Sequence, residues 1–282
     1  MPIAYPDVLS LETRDQAFSY TERDTMLYAL GVGMGSDPLN EQELPFVYEN
    51  GLKALPTLAT VVAWGSGPMG RIGLNYLMVV HGEQSVELHR PMATEADLLA
   101  DGKVAAVYDK GPKGAVVVLE TVLKDARDGS AIATLKSALF ARGDGGFGGP
   151  SEGAPEPHLP PTRAPDKTIE LATRPDQALL YRLSGDRNPL HADPNFARAA
   201  GFPRPILHGL CTYGLTCRAV LAGYADHDPA RLRSHSARFS APVFPGETVS
   251  VDLWRDGDIV SFEARVKARD VVVIKGGRSQ LV

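Results

Sequence analysis

The run Tyr181-Arg182-Leu183-Ser184-Gly185-Asp186-Arg187-Asn188-Pro189-Leu190-His191 places a carboxylate, an amide and an imidazole around a proline. Proton transfer calls for groups of this kind: an imidazole that ionises near neutral pH, held beside a second ionisable side chain. Gly185 permits a tight backbone next to the carboxylate, and Pro189 fixes the path from Asp186 to His191. Asp193-Pro194 then fits the N-cap and first position of a helix. The two ionisable side chains therefore stand on a stiff loop and can converge on one small volume. Asp, Asn and Pro also populate solvated turns between helices, and the loop's composition alone leaves that alternative open.

A second loop, Pro205-Ile206-Leu207-His208-Gly209, opens an apolar stretch. Gly209 would let a carbonyl approach the backbone closely. Its N–H, at a helix start, would donate to an oxygen on which negative charge develops. A glycine placed simply to begin a buried helix reads the same way. Other chemistries fit less well. There is no Gly-x-Ser-x-Gly elbow. Cys211 and Cys217 lie inside the apolar stretch, where a thiolate is disfavoured. Six apart on a helix they face different ways, so two reduced, buried thiols are expected. His191 and Asp193 are poorly spaced for a metal and no further ligands are evident, so no metal is expected. Gly31-Val32-Gly33-Met34-Gly35 has the wrong spacing for a dinucleotide loop and follows a helical stretch rather than a strand.

The chain must supply a scaffold for these loops. Its 282 residues, 44% hydrophobic and 22% charged, suffice for a substantial core in one large domain or two ordinary ones. A net charge of -5 argues against nucleic acid as a partner. It leaves room for a phosphate-bearing small ligand at a local basic patch. No signal peptide is read at the N-terminus and no apolar run is long enough for a membrane span. The final Ser-Gln-Leu-Val is not a peroxisomal address, so a cytoplasmic location is the default expectation.

From Gly143 to Pro165 the chain is dominated by Gly and Pro, which excludes a helix or central strand. That predicts an N-terminal half at 1–142, a linker at 143–167 and a C-terminal half at 168–282. The halves look alike. Met26-Leu27-Tyr28-Ala29-Leu30-Gly31 resembles Leu179-Leu180-Tyr181-Arg182-Leu183-Ser184, and each is followed by a polar loop with Pro-Leu. Each half then has an apolar segment (Leu55 to Ala63; Ile206 to Val220) and strand-like runs. These runs are Val104–Tyr108, Ala115–Val122 and Ala131–Phe140 in the first half, and Thr248–Leu253, Ile259–Val266 and Val271–Gln280 in the second. Internal duplication of an α+β unit, a helical segment followed by antiparallel strands, accounts for this.

Tyr-x-Leu-Ser-Gly-Asp-x-Asn-Pro-Leu-His-x-Asp-Pro, at Tyr181 to Pro194, resembles the signature of the hydratase 2 family, the R-specific 2-enoyl-CoA hydratases of the MaoC-like group. Pro205 to Gly214, Ala237-Arg238-Phe239, Val80-His81-Gly82-Glu83-Gln84 and Asp109-Lys110-Gly111 extend the likeness. It runs from about residue 20 to the end and is strongest to the hydratase domain of the peroxisomal multifunctional enzyme of β-oxidation. The resemblance implies a double hot-dog fold, each repeat a long helix wrapped by a curved antiparallel sheet. It implies a homodimer with one site per chain, because the first repeat has Gly33-Met34-Gly35-Ser36 where the active loop would be. It further implies that Asp186 and His191 are the catalytic pair, that Asn188 supports the loop and that Gly209 supplies the oxyanion donor. His81, Gly82, Lys110 and Phe239 match positions that contact the CoA thioester; the first half would make room for the acyl chain.

The expected reaction is reversible hydration of a trans-2-enoyl-CoA to a (3R)-3-hydroxyacyl-CoA. It needs proton transfer and carbonyl polarisation, so no cofactor beyond the CoA of the substrate is expected. A dehydratase acting on carrier-protein thioesters would use the same groups. A non-catalytic acyl-CoA-binding protein is a third possibility, though a binder has no need of a paired carboxylate and imidazole.

Overall fold

The computed structural model describes residues 3–154 and 156–282. The first half contributes strands β1 (Glu12–Tyr20), β2 (Val79–Leu88), β3 (Ala96–Asp109), β4 (Ala115–Asp125) and β5 (Ala131–Ala141). The second contributes β6 (Lys167–Ala172), β7 (Leu232–Phe239), β8 (Thr248–Asp256), β9 (Ile259–Val266) and β10 (Val271–Leu281). All ten join one antiparallel sheet in the order β1-β3-β4-β5-β2-β7-β10-β9-β8-β6. Counted inward from either end, the two halves have the same strand order and meet where β2 pairs with β7, Gln84 opposite Ala237. This is the duplication expected from the sequence, related by a pseudo-two-fold axis.

Among the described residues four α-helices accompany the sheet: α1 (Glu22–Gly31), α2 (Gln177–Tyr181), α3 (Pro194–Ala199) and α4 (Gly209–Tyr224). The matching tyrosines of the duplicated segments, Tyr28 in α1 and Tyr181 in α2, pack on each other with ring centroids 6.0 Å apart. Helix α4 is buried nearly all round. It runs along the inner face of the sheet against β7, β8, β9, β10 and β6 and reaches β2. A helix enclosed on every side needs an apolar surface on every side, which is why its sequence, GLCTYGLTCRAVLAGY, lacks amphipathic periodicity. Cys211 and Cys217 are free and buried there, and burial raises both thiols, that of Cys217 to about 12.

The double hot-dog plan holds, but the expectation of a long helix in each repeat needs correction. In the first repeat only a 3-10 turn, Pro56–Thr60, occupies that place, packed on β2, β5 and α4. Its sequence explains the early stop. Thr60, Val61 and Val62 are β-branched, and Gly65 and Gly67 adopt positive φ just beyond. Strands β1 and β6, which precede the helical segments, and β2 and β7, which join the halves, also lie outside the expected runs.

The Gly/Pro-rich crossover forms no helix or strand between Ala141 and Lys167 among the described residues. It is nonetheless pinned. Asp109 accepts hydrogen bonds from the N–H groups of Gly146 (2.8 Å) and Gly148 (2.7 Å), which hold its carboxyl below the usual range. Tyr108 donates to Gly153, the His158 ring meets Ser261, and Arg163 accepts from Trp254 of β8. The crossover thus packs against Trp254 of β8 and Ser261 of β9, and β8 is buried on both faces.

Candidate active site

Helix α2 runs into a 3-10 turn, Arg182–Ser184, and then Gly185 at φ +139°. Glycine is required there twice over: the backbone is one that L side chains rarely adopt, and a Cβ would lie 2.8 Å from Trp64. The turn that follows is held by its own side chains. Asp186 accepts from the Asn188 N–H (3.0 Å), and Asn188 accepts from the Leu190 N–H (3.0 Å), capping the 3-10 turn Pro189–His191. Asp193 caps α3, as its position suggested, by accepting from the N–H of Asn195 (2.7 Å). These local bonds explain why Asp and Asn stand here, and they aim His191 inward.

His191 Nδ1 lies 2.8 Å from the carbonyl of Ile206. A carbonyl only accepts, so Nδ1 carries the hydrogen and Nε2 presents a lone pair. That lone pair faces the Asp186 carboxylate at 4.0 Å, with the imidazole buried and the carboxylate partly open. Burial lowers the imidazole's pKa; the Ile206 carbonyl and the Asp186 charge oppose it only in part. The His191 imidazole is therefore neutral at neutral pH, with Nε2 free to accept a proton.

The second loop closes over the first. The His208 ring stacks on His191 with centroids 3.7 Å apart and planes inclined by 26°, and its Nε2 lies 3.1 Å from the Asp186 carbonyl. The Cys211 and Thr212 N–H groups donate to the His208 carbonyl as the first bonds of α4. The Gly209 N–H is thereby left at the helix head, where helix geometry supplies no partner. The Phe239 ring covers Gly209 so closely that a Cβ would lie 3.3 Å from it. His81 packs on the other side of Phe239, centroids 5.0 Å apart. Its Nε2–H donates to the Glu83 carbonyl (3.0 Å), and desolvation lowers its pKa to about 4. Gly82 sits where the β2–β5 register slips, with the Ala138 carbonyl 3.2 Å from where a Cβ would be.

Two hollows flank this cluster. One, of about 580 Å³, is lined by Gly82, Lys110, Arg238, Phe239 and Lys275, with His158 of the crossover forming part of its wall. The other, of about 250 Å³, has a mixed lining and lies against Gly185, with Asp24 and Ser184 beside the apolar Tyr20, Leu58, Val62 and Trp64. The structure therefore gathers Asp186, Asn188, His191 and Gly209 at one centre. Gly82, Lys110 and Phe239 line the larger hollow, and His81 and Phe239 bridge hollow and centre. The Lys110 ammonium bonds the Ser151 carbonyl, tying the crossover to the rim. Trp64, and His208 in its own right, were missed from the sequence. An isolated tryptophan carries no motif, and in the sequence the glycine beside His208 is the stronger signal.

Asp186, His191 and His208 each bring a ligand-type atom within 4.8 Å of the others. Two stacked rings inclined by 26° cannot both aim a lone pair at one ion, and each already has one nitrogen donating to a carbonyl. The set suits proton transfer better than metal binding.

Residues 18–143 match the family described as MFE-2 hydratase 2 N-terminal domain, and residues 157–276 match the MaoC like domain. The chain is 40% identical over 283 residues to enoyl-CoA hydratase ChsH3 of Mycobacterium tuberculosis, covering 98% of each. The chain belongs to the MaoC-like hydratase 2 family. Another relative, enoyl-CoA hydratase 2, peroxisomal, of Arabidopsis thaliana, is 40% identical across 94% of this chain and 90% of its own. A solved MaoC-like dehydratase from Phytophthora capsici superposes with a TM-score of 0.87 at 36% identity, covering 98% of this chain and 97% of that one. Within this hydratase 2 chain the two family segments coincide with the two repeats. Among the described residues no helix is long and apolar enough to cross a membrane.

Proposed function

We propose that this protein hydrates trans-2-enoyl-CoA thioesters reversibly to (3R)-3-hydroxyacyl-CoA in fatty-acyl metabolism. The observation that carries the reading is the His191 Nε2 lone pair, fixed by the Ile206 bond and facing the Asp186 carboxylate at 4.0 Å beside the head of α4. A substrate water held between the two attacks C3. As the O–C3 bond forms, one member of the pair accepts the water's proton, and a proton returns from the pair to C2 on the same face. The elements of water are added and the site ends as it began. Meanwhile the thioester oxygen gains charge, which the Gly209 N–H and the head of α4 stabilise. The resemblance implies a loop-supporting role for Asn188, which its bond to the Leu190 N–H supports, and an oxyanion role for Gly209, which its place at the head of α4 supports.

The larger hollow, with Lys110, Arg238 and Lys275 on its walls, suits the phosphates of CoA. Gly82, His81 and Phe239 lead from it to the centre. The hollow beside Gly185 offers the acyl chain the apolar contacts of Tyr20, Leu58, Val62 and Trp64. The scheme calls on no metal or redox cofactor, because proton transfer and polarisation of the carbonyl by the chain's own groups account for every step. A homodimer is part of the reading on the family resemblance alone, and sedimentation tests it. Loss of enoyl-thioester absorbance on adding the protein, with the R alcohol as the product, is the expected result; an S product or no turnover overturns the reading. Comparison of CoA with carrier-protein thioesters separates it from a carrier-linked dehydratase.

A further inference from the structure

His208 touches all three working parts of the site and is assigned no role of its own in the scheme above. It is 2% exposed. Its Nε2 must carry the hydrogen, because the Asp186 carbonyl 3.1 Å away can only accept. That bond ties α4's head to the backbone of the residue bearing the carboxylate. One face of the ring lies on His191 at 3.7 Å and Tyr181 packs against it at 4.9 Å, so the His191 imidazole rests on a ring with a second aromatic neighbour of its own. Its main-chain carbonyl takes the first two bonds of α4, which sets the direction of the next N–H, that of Gly209.

The other ring nitrogen, Nδ1, is buried without a hydrogen-bond partner among the described residues. A residue kept only to fill this space would serve better as phenylalanine, which leaves no polar atom unpaired. Phenylalanine, however, cannot donate to Asp186. Glutamine could donate but offers no flat face to His191. An imidazole does both.

We propose that His208 is a positioning residue, whose Nε2–H fixes the Asp186 loop while its ring fixes His191 and its carbonyl orients the Gly209 amide. The inference rests on the hydratase reading for its kinetic consequences and on geometry alone for its tautomer. The two variants His208→Phe and His208→Gln divide the roles. Each is expected to lower kcat about 10- to 100-fold, the scale of misplacing reacting groups. KM should stay within about twofold, because the larger hollow is untouched. In His208→Gln the acid limb of the kcat/KM profile should also move to higher pH. Removing the ring admits water to His191, whose proton affinity is held down by burial, and the base must be neutral to act. In His208→Phe, which retains the face, that limb should stay in place. Wild-type kcat in either variant, or loss in His208→Gln with an unmoved acid limb, overturns the proposal.

Should a variant fail to fold, nitrogen NMR of the wild-type histidines decides. His208 is expected as the neutral Nε2–H tautomer through neutral pH; an Nδ1–H tautomer or an imidazolium overturns the proposal. An inactive wild type would refute the hydratase reading, while the NMR result would still decide how His208 is held.

Discussion

The two repeats share one strand order and pack equivalent tyrosines on each other, yet they do opposite things with equivalent loops. After α2 the second repeat presents Asp186 and His191, with the carboxylate partly open and the imidazole neutral. After α1 the first repeat also holds a carboxylate, Glu43, but Arg218 of α4 neutralises it in a buried pair at 2.7 Å, and the Gly35 N–H bonds it as well. One loop keeps its acid available and the other consumes its acid in joining the repeats. The helices differ in the same sense. Helix α4 fills its half, while the first repeat stops after the turn Pro56–Thr60, next to the smaller hollow that Tyr20, Leu58, Val62 and Trp64 help to line. Under the proposed function, duplication divides the chain into a half for the chemistry and a half for the acyl chain, separated by which side chains are left unpaired.

The contrast can be broken from either side. The largest effect is expected at the structural carboxylate. Arg218→Ala strands Glu43 in the core and should cost about 3–5 kcal/mol of stability, read by denaturant unfolding, because a buried charge loses its partner. Asp186→Asn and His191→Ala, on the other loop, should leave folding intact and lower kcat about 10²-fold or more. Equal damage to stability from both loops would erase the distinction. Acidification sharpens it further. Burial lowers the pKa of His208 and of His235 to about 3, so the unfolded chain binds more protons than the native one once pH falls below about 6.5. Stability should therefore be full above that pH and fall between pH 7 and 5, by on the order of 2 kcal/mol for each of these two histidines. Both pack on or cap α4, so hydrogen exchange should accelerate there before it does in β3 and β4. The smallest effect belongs to Asp193→Ala, which removes the α3 cap and should cost about 1 kcal/mol with little change in turnover.

Much of this was written in the sequence where one residue type has one structural use. Gly185, Asn188, Pro189 and Asp193 each make the local bond or backbone turn their types suggest. The likeness of Tyr28 and Tyr181 exposed the duplication. What stayed hidden depended on distant partners. Strand β1 is an edge strand whose charged residues face solvent, so it lacks an apolar signal. Strand β7 lies mid-sheet but carries His235, which is satisfied only by Thr216 and Ser279 from other elements. The shortness of the first repeat's helix follows from a few β-branched residues and two glycines inside an apolar segment that otherwise looks helical. The engagement of Lys110 with Ser151 and the stacking of His208 on His191 join residues far apart in the chain, and no local pattern encodes either.

The central claim is that Asp186 and His191 act as one unit, and a double-mutant cycle on hydration tests it most directly. Groups that work on a single proton-transfer step are not independent, so Asp186→Asn combined with His191→Ala should be scarcely slower than the worse single variant. A double variant whose loss equals the product of the two single losses would show that the residues act separately and would contradict the account.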